Sequence, residues 1–355
     1  MQKPDRGTPG SYVMRPVRED DLAALEALAH LAGFGLSSLP ADREYLQEKI
    51  RDSLRAFASI RSKPQGENYL FVLEDAATGQ VVGTSGILSK VGGFDPFYAY
   101  RLETSIQCSP ELGVHKEILV LHLFQEHNGP TEICSLFLHP EHQRRGVGRL
   151  LSLGRFLFMA EHPAHFEETV IAEMRGVVDE KGRSPFWEAL GRHFFDIDYP
   201  KADYLSMKNK TFIADLMPRH PIYVNLLPEE AQAVVGKVHE QTRPALKLLQ
   251  DEGFAVTDLV DIFEAGPVVR CRRERIRTVR ASRRAVVSEI AEQTDDARGG
   301  ATEHLICNSS LCCLAAIGRL RELPDRTVGI DGRTAYRLKV AGGDWIRHAP
   351  LRGCR

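Results

Sequence analysis

The sequence predicts an α/β (α+β) fold: a mixed, mostly antiparallel sheet flanked by helices, followed by a small β-rich C-terminal module. Three observations carry this expectation. Two strand-like runs, Tyr69–Asp75 and Val81–Ile87, flank Ala76-Ala77-Thr78-Gly79-Gln80, a turn that makes them an antiparallel hairpin. From Thr131 to Leu190, strand and helix signals alternate. A polar, glycine-ended segment, Gln293–Gly300, then separates this body from a tail with strand-like pieces.

Taken in order, residues 1–12 are polar and rich in Gly and Pro, and read as a disordered lead-in. Val13–Val17 looks like a strand. Asp20-Asp21 caps a helix whose Leu22, Leu25, Leu28 and Leu31 recur at helical spacing, and Gly33-Phe34-Gly35 ends it. After the loop Leu36–Pro40, Asp42 opens a second helix with Tyr45, Leu46, Ile50, Leu54 and Phe57 facing inward. The stretch from Phe94 to Gly129 is less regular, with a strand-like piece at Ile118–Phe124. Thr131–Leu138 is a strand, a helix runs from about Arg149 to Glu161, and Val170–Arg175 is the next strand. Ser184-Pro185 starts a helix, with proline in the first turn where its missing N–H costs nothing. Further on, a strand is expected near Thr211–Leu216, a helix from Pro228 to about His239, a helical region over Pro244–Gly253 and a strand at Phe254–Phe263. The domain limits expected are 13–292 for the main body, 293–300 for a linker and 301–355 for the β-rich module.

Composition narrows the function classes. A formal net charge of −2 argues against a general nucleic-acid binder. No apolar run approaches the roughly 20 residues that span a bilayer, and the start lacks the apolar stretch of a signal peptide, so the cytoplasm is the expected location, with no membrane partner. Seven cysteines without a C-x-x-C pair point to reduced thiols. Cys307, Cys312 and Cys313 lie close together, but no histidine or fourth thiol stands at ligand spacing, so packing is favoured and neither a metal nor a prosthetic group is expected. Arginines are dense from Arg270 to Arg284. Glu274 and the near-neutral whole favour a solvated face or a subunit contact over a polyanion site.

The chemistry shows first at Gln143-x-x-Gly146-x-Gly148, placed between a strand and a helix. Glycines let the chain turn tightly and approach a ligand, while a helix start presents unpaired N–H groups and a positive dipole end, which together hold a pyrophosphate. Arg144, Arg145 and Arg149 add positive charge beside it. The pattern is similar to that of acyl-CoA-dependent N-acyltransferases related to the Gcn5 acetyltransferases. Ser184–Gly191 resembles the helix that packs against CoA in that superfamily. Many members place a tyrosine there to protonate the CoA thiolate, whereas this chain has Trp187, whose indole does not readily give up its proton. The acid must come from elsewhere.

Over Met14–Arg284 the chain resembles the arginine N-succinyltransferases, through Gly35–Pro40, Phe71–Asp75, Ser135–Leu138, Ala172–Gly176, Ser184–Trp187, Leu216–Tyr223 and Asp261–Pro267. The tail is matched only loosely, around Leu320–Leu351. The resemblance implies an acyl-CoA N-acyltransferase-like fold. It also implies a reaction of succinyl-CoA, as acyl-donor co-substrate, with L-arginine at the head of a route of arginine catabolism. It implies that Leu136 contacts succinyl-CoA and that His239, in Gly236-Lys237-Val238-His239, donates a proton. Leu136 then acts through its backbone, because in this fold the strand before the loop splays from its neighbour and frees N–H groups for the thioester oxygen. Leu138, Gln143, Arg144, Arg145, Gly146 and Gly148 complete the donor-binding set.

The succinyl carboxylate needs a cation and the guanidinium needs acids. Arg175 is the candidate for the first, and Glu173, Asp179, Asp258 and Asp261 are candidates for the second, each equally open to a structural ion-pair role. The Gly35–Pro40 loop, with Ser37 and Ser38, is expected at the acceptor pocket, although its glycine equally serves as a helix cap. Two other readings stay open: an N-acyltransferase for ornithine or another amine with a different acyl-CoA, and a non-catalytic paralogous regulatory subunit. Partners are then the two small substrates, with a homo-oligomer or a paralogous subunit as the protein partner.

Overall fold

The computed structural model describes residues 11–33, 36, 38–93, 96–143, 146–291 and 301–351. The chain opens with β1 (Tyr12–Pro16), α1 (Leu22–Ala32) and α2 (Arg43–Phe57), then β2 (Asn68–Asp75), β3 (Val81–Leu88), β4 (Phe97–Ser109), β5 (Val114–Glu126) and β6 (Thr131–Leu138). After α3 (Val147–Glu161) and β7 (Thr169–Glu173) come four short helices, α4 (Pro185–Ala189), α5 (Arg192–Phe195), α6 (Tyr199–Lys208) and α7 (Thr211–Leu216). The two-residue strand β8 (Ile222–Tyr223) precedes α8 (Glu229–Gln232), α9 (Arg243–Asp251), β9 (Ala255–Val260), β10 (Pro267–Arg272) and α10 (Arg277–Ala281). The last elements are β11 (Arg283–Ala291), β12 (Thr302–Asn308), β13 (Ala315–Glu322), β14 (Thr327–Asp331), α11 (Gly332–Leu338) and β15 (Trp345–Pro350).

Among the described residues the strands form one continuous sheet in the order β12-β15-β11-β14-β13-β1-β2-β3-β6-β7-β10-β9-β4-β5-β8. Parallel pairing occurs at β6–β7 and β11–β14, and the rest is antiparallel, so the mixed, mostly antiparallel sheet expected from sequence is what the chain builds. The hairpin expected at 69–87 is β2–β3, with Tyr69 facing Ile87 and Leu73 facing Gly83.

β2 reads as an almost unbroken apolar run because both its faces are covered. Leu70 and Val72 pack with Leu25 of α1 and Leu46 and Ile50 of α2, while Tyr69 and Phe71 pack with Phe57 and with Phe158 of α3. Helix α3 is itself buried nearly all round. Its outer side is covered by the C-terminal strands: a Cβ on Gly154 would fall 2.6 Å from Met14 Sδ and 3.6 Å from Ala315 Cβ. Glu161 at the end of α3 is paired with Arg347 at 2.7 Å and Arg284 at 3.4 Å, which fastens that contact.

The C-terminal strands close on themselves, since β12 pairs with both β15 and β13. The ring β12-β15-β11-β14-β13 is a small barrel joined to the main sheet through Met14 and Ala315. Its third strand, β11, precedes the segment 293–300, so the β-rich unit expected over 301–355 reaches back to Arg283. The segment 293–300 itself lies outside the described residues. A second core, around Trp187, Phe186, Phe195, Tyr199, Tyr100 and Phe263, joins α4–α8 to the β4, β5 and β9 side of the sheet.

Three expectations are corrected. Thr211–Leu216 is helix α7, with Met217 N–H bonded to Ile213 C=O, and the sheet edge goes instead to Ile222–Tyr223 on β5. The helix after Pro228 stops at Gln232, because Gly236 turns with φ +70° and donates its N–H to Ala265 C=O at 2.9 Å. The irregular stretch before Gly129 contains two paired strands of 13 residues each, which lack a sustained apolar alternation because much of the hairpin is exposed. Among the described residues, no helix is long and apolar enough to cross a membrane, no group of three metal-binding side chains is gathered, and all six cysteines are free.

Candidate functional site

The site begins where β6 leaves β7. The two strands pair only at Thr131–Val170 and Glu132–Ile171. Beyond that point β7 keeps its other partner, β10, and β6 keeps β3, so a gap opens between them. On the β3 side, Gly86 faces Cys134 and Thr84 faces Phe137, which leaves Ser135 and Leu136 together opposite Ser85. This is a β-bulge, and Ser135 adopts φ +52°, a left-handed conformation uncommon for a residue with a side chain. Gly86 makes room for it: a Cβ there would lie 3.2 Å from Cys134 Sγ and 3.3 Å from Ser135 Cβ.

The bulge is fastened from the α1–α2 loop. Ser135 N–H donates to Ser38 Oγ at 2.9 Å, and Ser38 C=O accepts from Ser135 Oγ at 3.3 Å and from Lys49 Nζ at 2.7 Å. His139 N–H donates to Val82 C=O at 2.8 Å, which fixes the ladder's phase. By the alternation of an antiparallel pair, Phe137 then turns its polar groups to β3, while Leu136 and Leu138 turn theirs into the gap. Their side chains pack half-buried against the main core.

The loop after β6 is tied to this strand by Gln143, whose Nε2 donates to Leu138 C=O at 3.1 Å. Gly146 starts α3 with φ +93°, which favours glycine. At Gly148 the nearest described atom to an added Cβ is Leu138 Cδ2, at 3.8 Å. No clash with the described residues requires glycine there, so its effect is to keep the helix start open. Arg144 and Arg145 lie outside the described residues, as does Ser37.

On the far side of the gap, the matched segments 172–176 and 261–267 pack backbone against backbone. A Cβ on Gly266 would stand 2.0 Å from Met174 C=O, and one on Gly176 would stand 2.4 Å from Glu264 C=O. Glu264 locks the pair by accepting Gly176 N–H at 2.7 Å and the Tyr199 hydroxyl at 2.8 Å. His239 docks on this unit, its N–H donating to Arg175 C=O at 2.9 Å. The imidazole Nδ1 accepts Gln241 N–H at 3.2 Å, which puts the ring proton on Nε2. Burial, and then the charge of Arg175, push His239 below the usual imidazole range, against the opposing pull of Val178 C=O and Glu240. The ring is therefore neutral at neutral pH. Arg175 also keeps its Nε buried with no hydrogen-bond partner among the described residues.

Carboxylates crowd the base of the gap. Glu173 at the end of β7 keeps contact with solvent, yet the surrounding protein holds its carboxyl well above the usual range, through burial first and then Glu132 and Asp261. Burial also raises Glu132, against Lys210 and Lys49, and raises Asp261, against the N–H groups of its own turn. Asp203 of α6 is pushed up to about 7 by burial and by Asp261, with Arg175 opposing. Asp203 also lines a cavity of about 330 Å³ between α6 and the α1–α2 loop, with Gly33, Leu39, Pro40, Pro200 and Tyr204. A larger cavity, about 540 Å³, lies on the barrel beside Arg283, Arg326 and His348 and shares no residue with the β6–β7 gap.

The structure thus gathers Leu136, Leu138, Gln143, Gly146 and Gly148 along one edge, and Glu173, Arg175, Asp261 and His239 around the gap. It separates two others. Asp179 caps its own turn, accepting from Lys181 and Arg183 N–H, and Asp258 pairs with Arg101 on an exposed strand. Ser38 braces the bulge, with its hydroxyl committed to Ser135. Trp187 is buried and donates Nε1–H to Ile197 C=O at 2.9 Å, which accounts for its unsuitability as an acid. Sequence reasoning missed Glu132, Asp203 and Glu264. Glu132 carried a signal, a charge set in an otherwise largely apolar strand. Asp203 carried none, because its partners Asp261 and Arg175 are far away in sequence.

A family model described as arginine N-succinyltransferase beta subunit matches residues 12–278. The arginine N-succinyltransferase subunit beta of Pseudomonas aeruginosa is 43% identical over 346 residues, covering 96% of this chain and 98% of that protein. The arginine N-succinyltransferase of Salmonella paratyphi B is 48% identical over 279 residues, covering 78% and 80%. Among solved structures, the arginine/ornithine succinyltransferase subunit AI from Pseudomonas aeruginosa superposes with a TM-score of 0.85 at 35% identity, covering 97% of this chain and 99% of that one.

The glycine at the start of α3 supplies a direct test of the donor edge. Gly148→Asp places a carboxylate where a pyrophosphate is expected while meeting no close neighbour. CoA affinity should fall by about tenfold or more in calorimetry, with the melting temperature nearly unchanged. Unchanged affinity would remove this helix start from the donor site.

Proposed function

Because the chain belongs to the arginine N-succinyltransferase family and is an acyltransferase, we propose that it transfers the succinyl group of succinyl-CoA to the α-amino group of L-arginine, releasing CoA and N2-succinyl-L-arginine. The observation that carries this reading is the gap between β6 and β7, where the strands stop pairing after Glu132 and where Glu132 and Asp261 act on the carboxyl of Glu173. Five carboxylates, Glu132, Glu173, Asp203, Asp261 and Glu264, act on one another there, against three cations, Lys49, Lys210 and Arg175. An acceptor with a net positive charge relieves that excess. An uncharged amine gains nothing from such a site.

In this reading the CoA pyrophosphate rests on the start of α3, and the thioester carbonyl oxygen receives the Leu136 N–H as negative charge builds on it. The orphaned Nε–H of Arg175 is suited to the succinyl carboxylate. The α-amino nitrogen of arginine attacks the carbonyl carbon, the C–S bond breaks, and the amine proton must reach the departing thiolate. His239, neutral in its setting, relays that proton: Nδ1, released from Gln241 N–H, takes the amine proton while Nε2–H passes its own to sulfur, and the ring ends neutral as the other tautomer. A carboxylate bound at Arg175 cancels the charge that depresses His239, so the ring holds its proton more readily with the donor in place. No covalent enzyme intermediate is involved. The enzyme then works in the cytoplasm, at the entry to arginine breakdown.

Ornithine is the second acceptor to consider, because the Pseudomonas aeruginosa structure is named for both amino acids. It presents an ammonium to the same acids. Purified protein given succinyl-CoA should release thiol only when arginine or ornithine is present, and the ratio of the two kcat/KM values ranks them. Absence of acceptor-dependent thiol release would end the proposal. His239→Ala should lower turnover by about 100-fold or more while CoA affinity stays within about twofold. Turnover equal to wild type would take His239 out of the mechanism.

The raised carboxyls give the acceptor site a pH dependence. Below their raised values these acids are protonated and neutral, and above them they carry the charge that a guanidinium needs. The KM for arginine should therefore fall as pH rises through about 7, with protons released on binding. A KM that does not change across this range would place the guanidinium elsewhere.

A further inference from the structure

We infer that Arg155 is a positioning residue for acyl transfer, holding the β6 bulge in the form that directs the Leu136 N–H at the reacting thioester. The inference rests on the acyl-transfer reading above and adds to it a residue from the middle of α3, on the far side of the strand from the substrates.

Arg155 is 1% exposed and is the single charged residue between Arg149 and Glu161. Its neighbours Leu153, Phe156, Leu157 and Phe158 belong to the main core, where an apolar side chain packs at less cost than a cation. Among the described residues no carboxylate pairs with it. The guanidinium is held by neutral oxygens: Nε donates to Ser152 C=O at 3.0 Å and Nη2 to Ser152 Oγ at 3.1 Å. The remaining contacts give the side chain its meaning. Nη1 reaches Gly86 C=O on β3 and Cys134 C=O on β6, both at 3.3 Å.

Gly86 and Cys134 face each other as the last regular pair before the bulge. One planar fork, braced on its own helix through Ser152, therefore grips both strands where the register changes. Ser38 holds the next residue from the opposite side, through Ser135 N–H at 2.9 Å. Between these two clamps the chain must pass through φ +52° at Ser135, and the following N–H is that of Leu136. A lysine offers a point charge and cannot repeat this geometry. Burial lowers the guanidinium only to about 10, so it stays charged at neutral pH and adds positive potential beneath the strand on which the oxyanion forms.

The test uses the whole protein with succinyl-CoA and whichever acceptor the wild type turns over. Arg155→Lys keeps charge and bulk but loses the fork. Turnover should fall by about tenfold or more, while CoA affinity and the acceptor KM stay within about twofold. That split separates positioning from general damage, which would weaken CoA binding and turnover together. If Arg155→Lys does not yield folded protein, Ser152→Ala replaces it: this removes the hydroxyl that accepts Nη2, far from both substrates, and should lower turnover severalfold with KM unchanged. Wild-type turnover in the folded variant, or a loss of CoA affinity equal to the loss of turnover, overturns the assignment. A wild-type protein without acceptor-dependent thiol release instead refutes the acyl-transfer reading itself, and the inference falls with it.

Discussion

The parting of β6 from β7 after Glu132, with the bulge at Ser135 that accompanies it, is the constraint on which the rest of this structure depends. A sheet strand normally spends both its N–H and C=O rows on neighbours. Here one row is released over a short stretch, and the release has to be held open against the tendency of strands to zip. Three elements hold it. Gly86 admits the bulge, Ser38 captures the Ser135 N–H from the α1–α2 loop, and Arg155 grips the carbonyls of both strands from α3. The barrel packs along the outer side of α3 and fixes the helix through Glu161. Its role in the proposed chemistry is thus that of a support behind the helix that carries both the loop and Arg155.

The opened gap accompanies the second physical feature, a set of acids that runs from buried Glu264 to exposed Glu173. Burial raises all five, Glu173, Glu132, Asp203, Asp261 and Glu264, and repulsion from neighbouring carboxylates adds to it at Glu173, Asp203 and Glu264. Such a cluster is unfavourable unless counter-charges or a ligand complete it, and the partial compensation by Lys49, Lys210 and Arg175 leaves room for a cationic acceptor. Glu264 has a double part. It shares in this repulsion, yet its hydrogen bonds to Gly176 and Tyr199 secure the glycine-to-glycine contact on which Arg175 and His239 are mounted.

Much of the fold was legible from local signals. The turn Ala76–Gln80 between two apolar runs marked the β2–β3 hairpin, and the strand, glycine loop and helix around Gly146 were readable because each depends on residues within about ten positions. Trp187, set aside as an acid from its chemistry, has its indole N–H committed to Ile197 C=O. The failures share a cause. Thr211–Leu216 has strand-like composition, but β5 takes Ile222–Tyr223 as its edge partner and the local hydrogen bonds of a helix prevail at 211–216. The barrel strand β11 lies before the polar segment that seemed to divide the chain, because pairing of β11 with β14 and β15 is a long-range fact. Asp179 and Asp258 had the right charge, and their own neighbours claim them. Arg155 was the readable signal passed over: a lone charge inside an apolar helix needs polar partners, though their identity, 69 residues away at Gly86, appears only in the fold.

The central claim is geometric, and a structure tests it most directly. A complex with arginine and a succinyl-CoA analogue whose sulfur is replaced by a methylene should place the carbonyl oxygen about 3 Å from the Leu136 nitrogen. The acceptor should lie in the gap between β6 and β7, with the guanidinium against the acid cluster and the α-nitrogen toward the carbonyl carbon. A carbonyl oxygen turned away from Leu136, or an arginine bound outside the gap, would contradict the account.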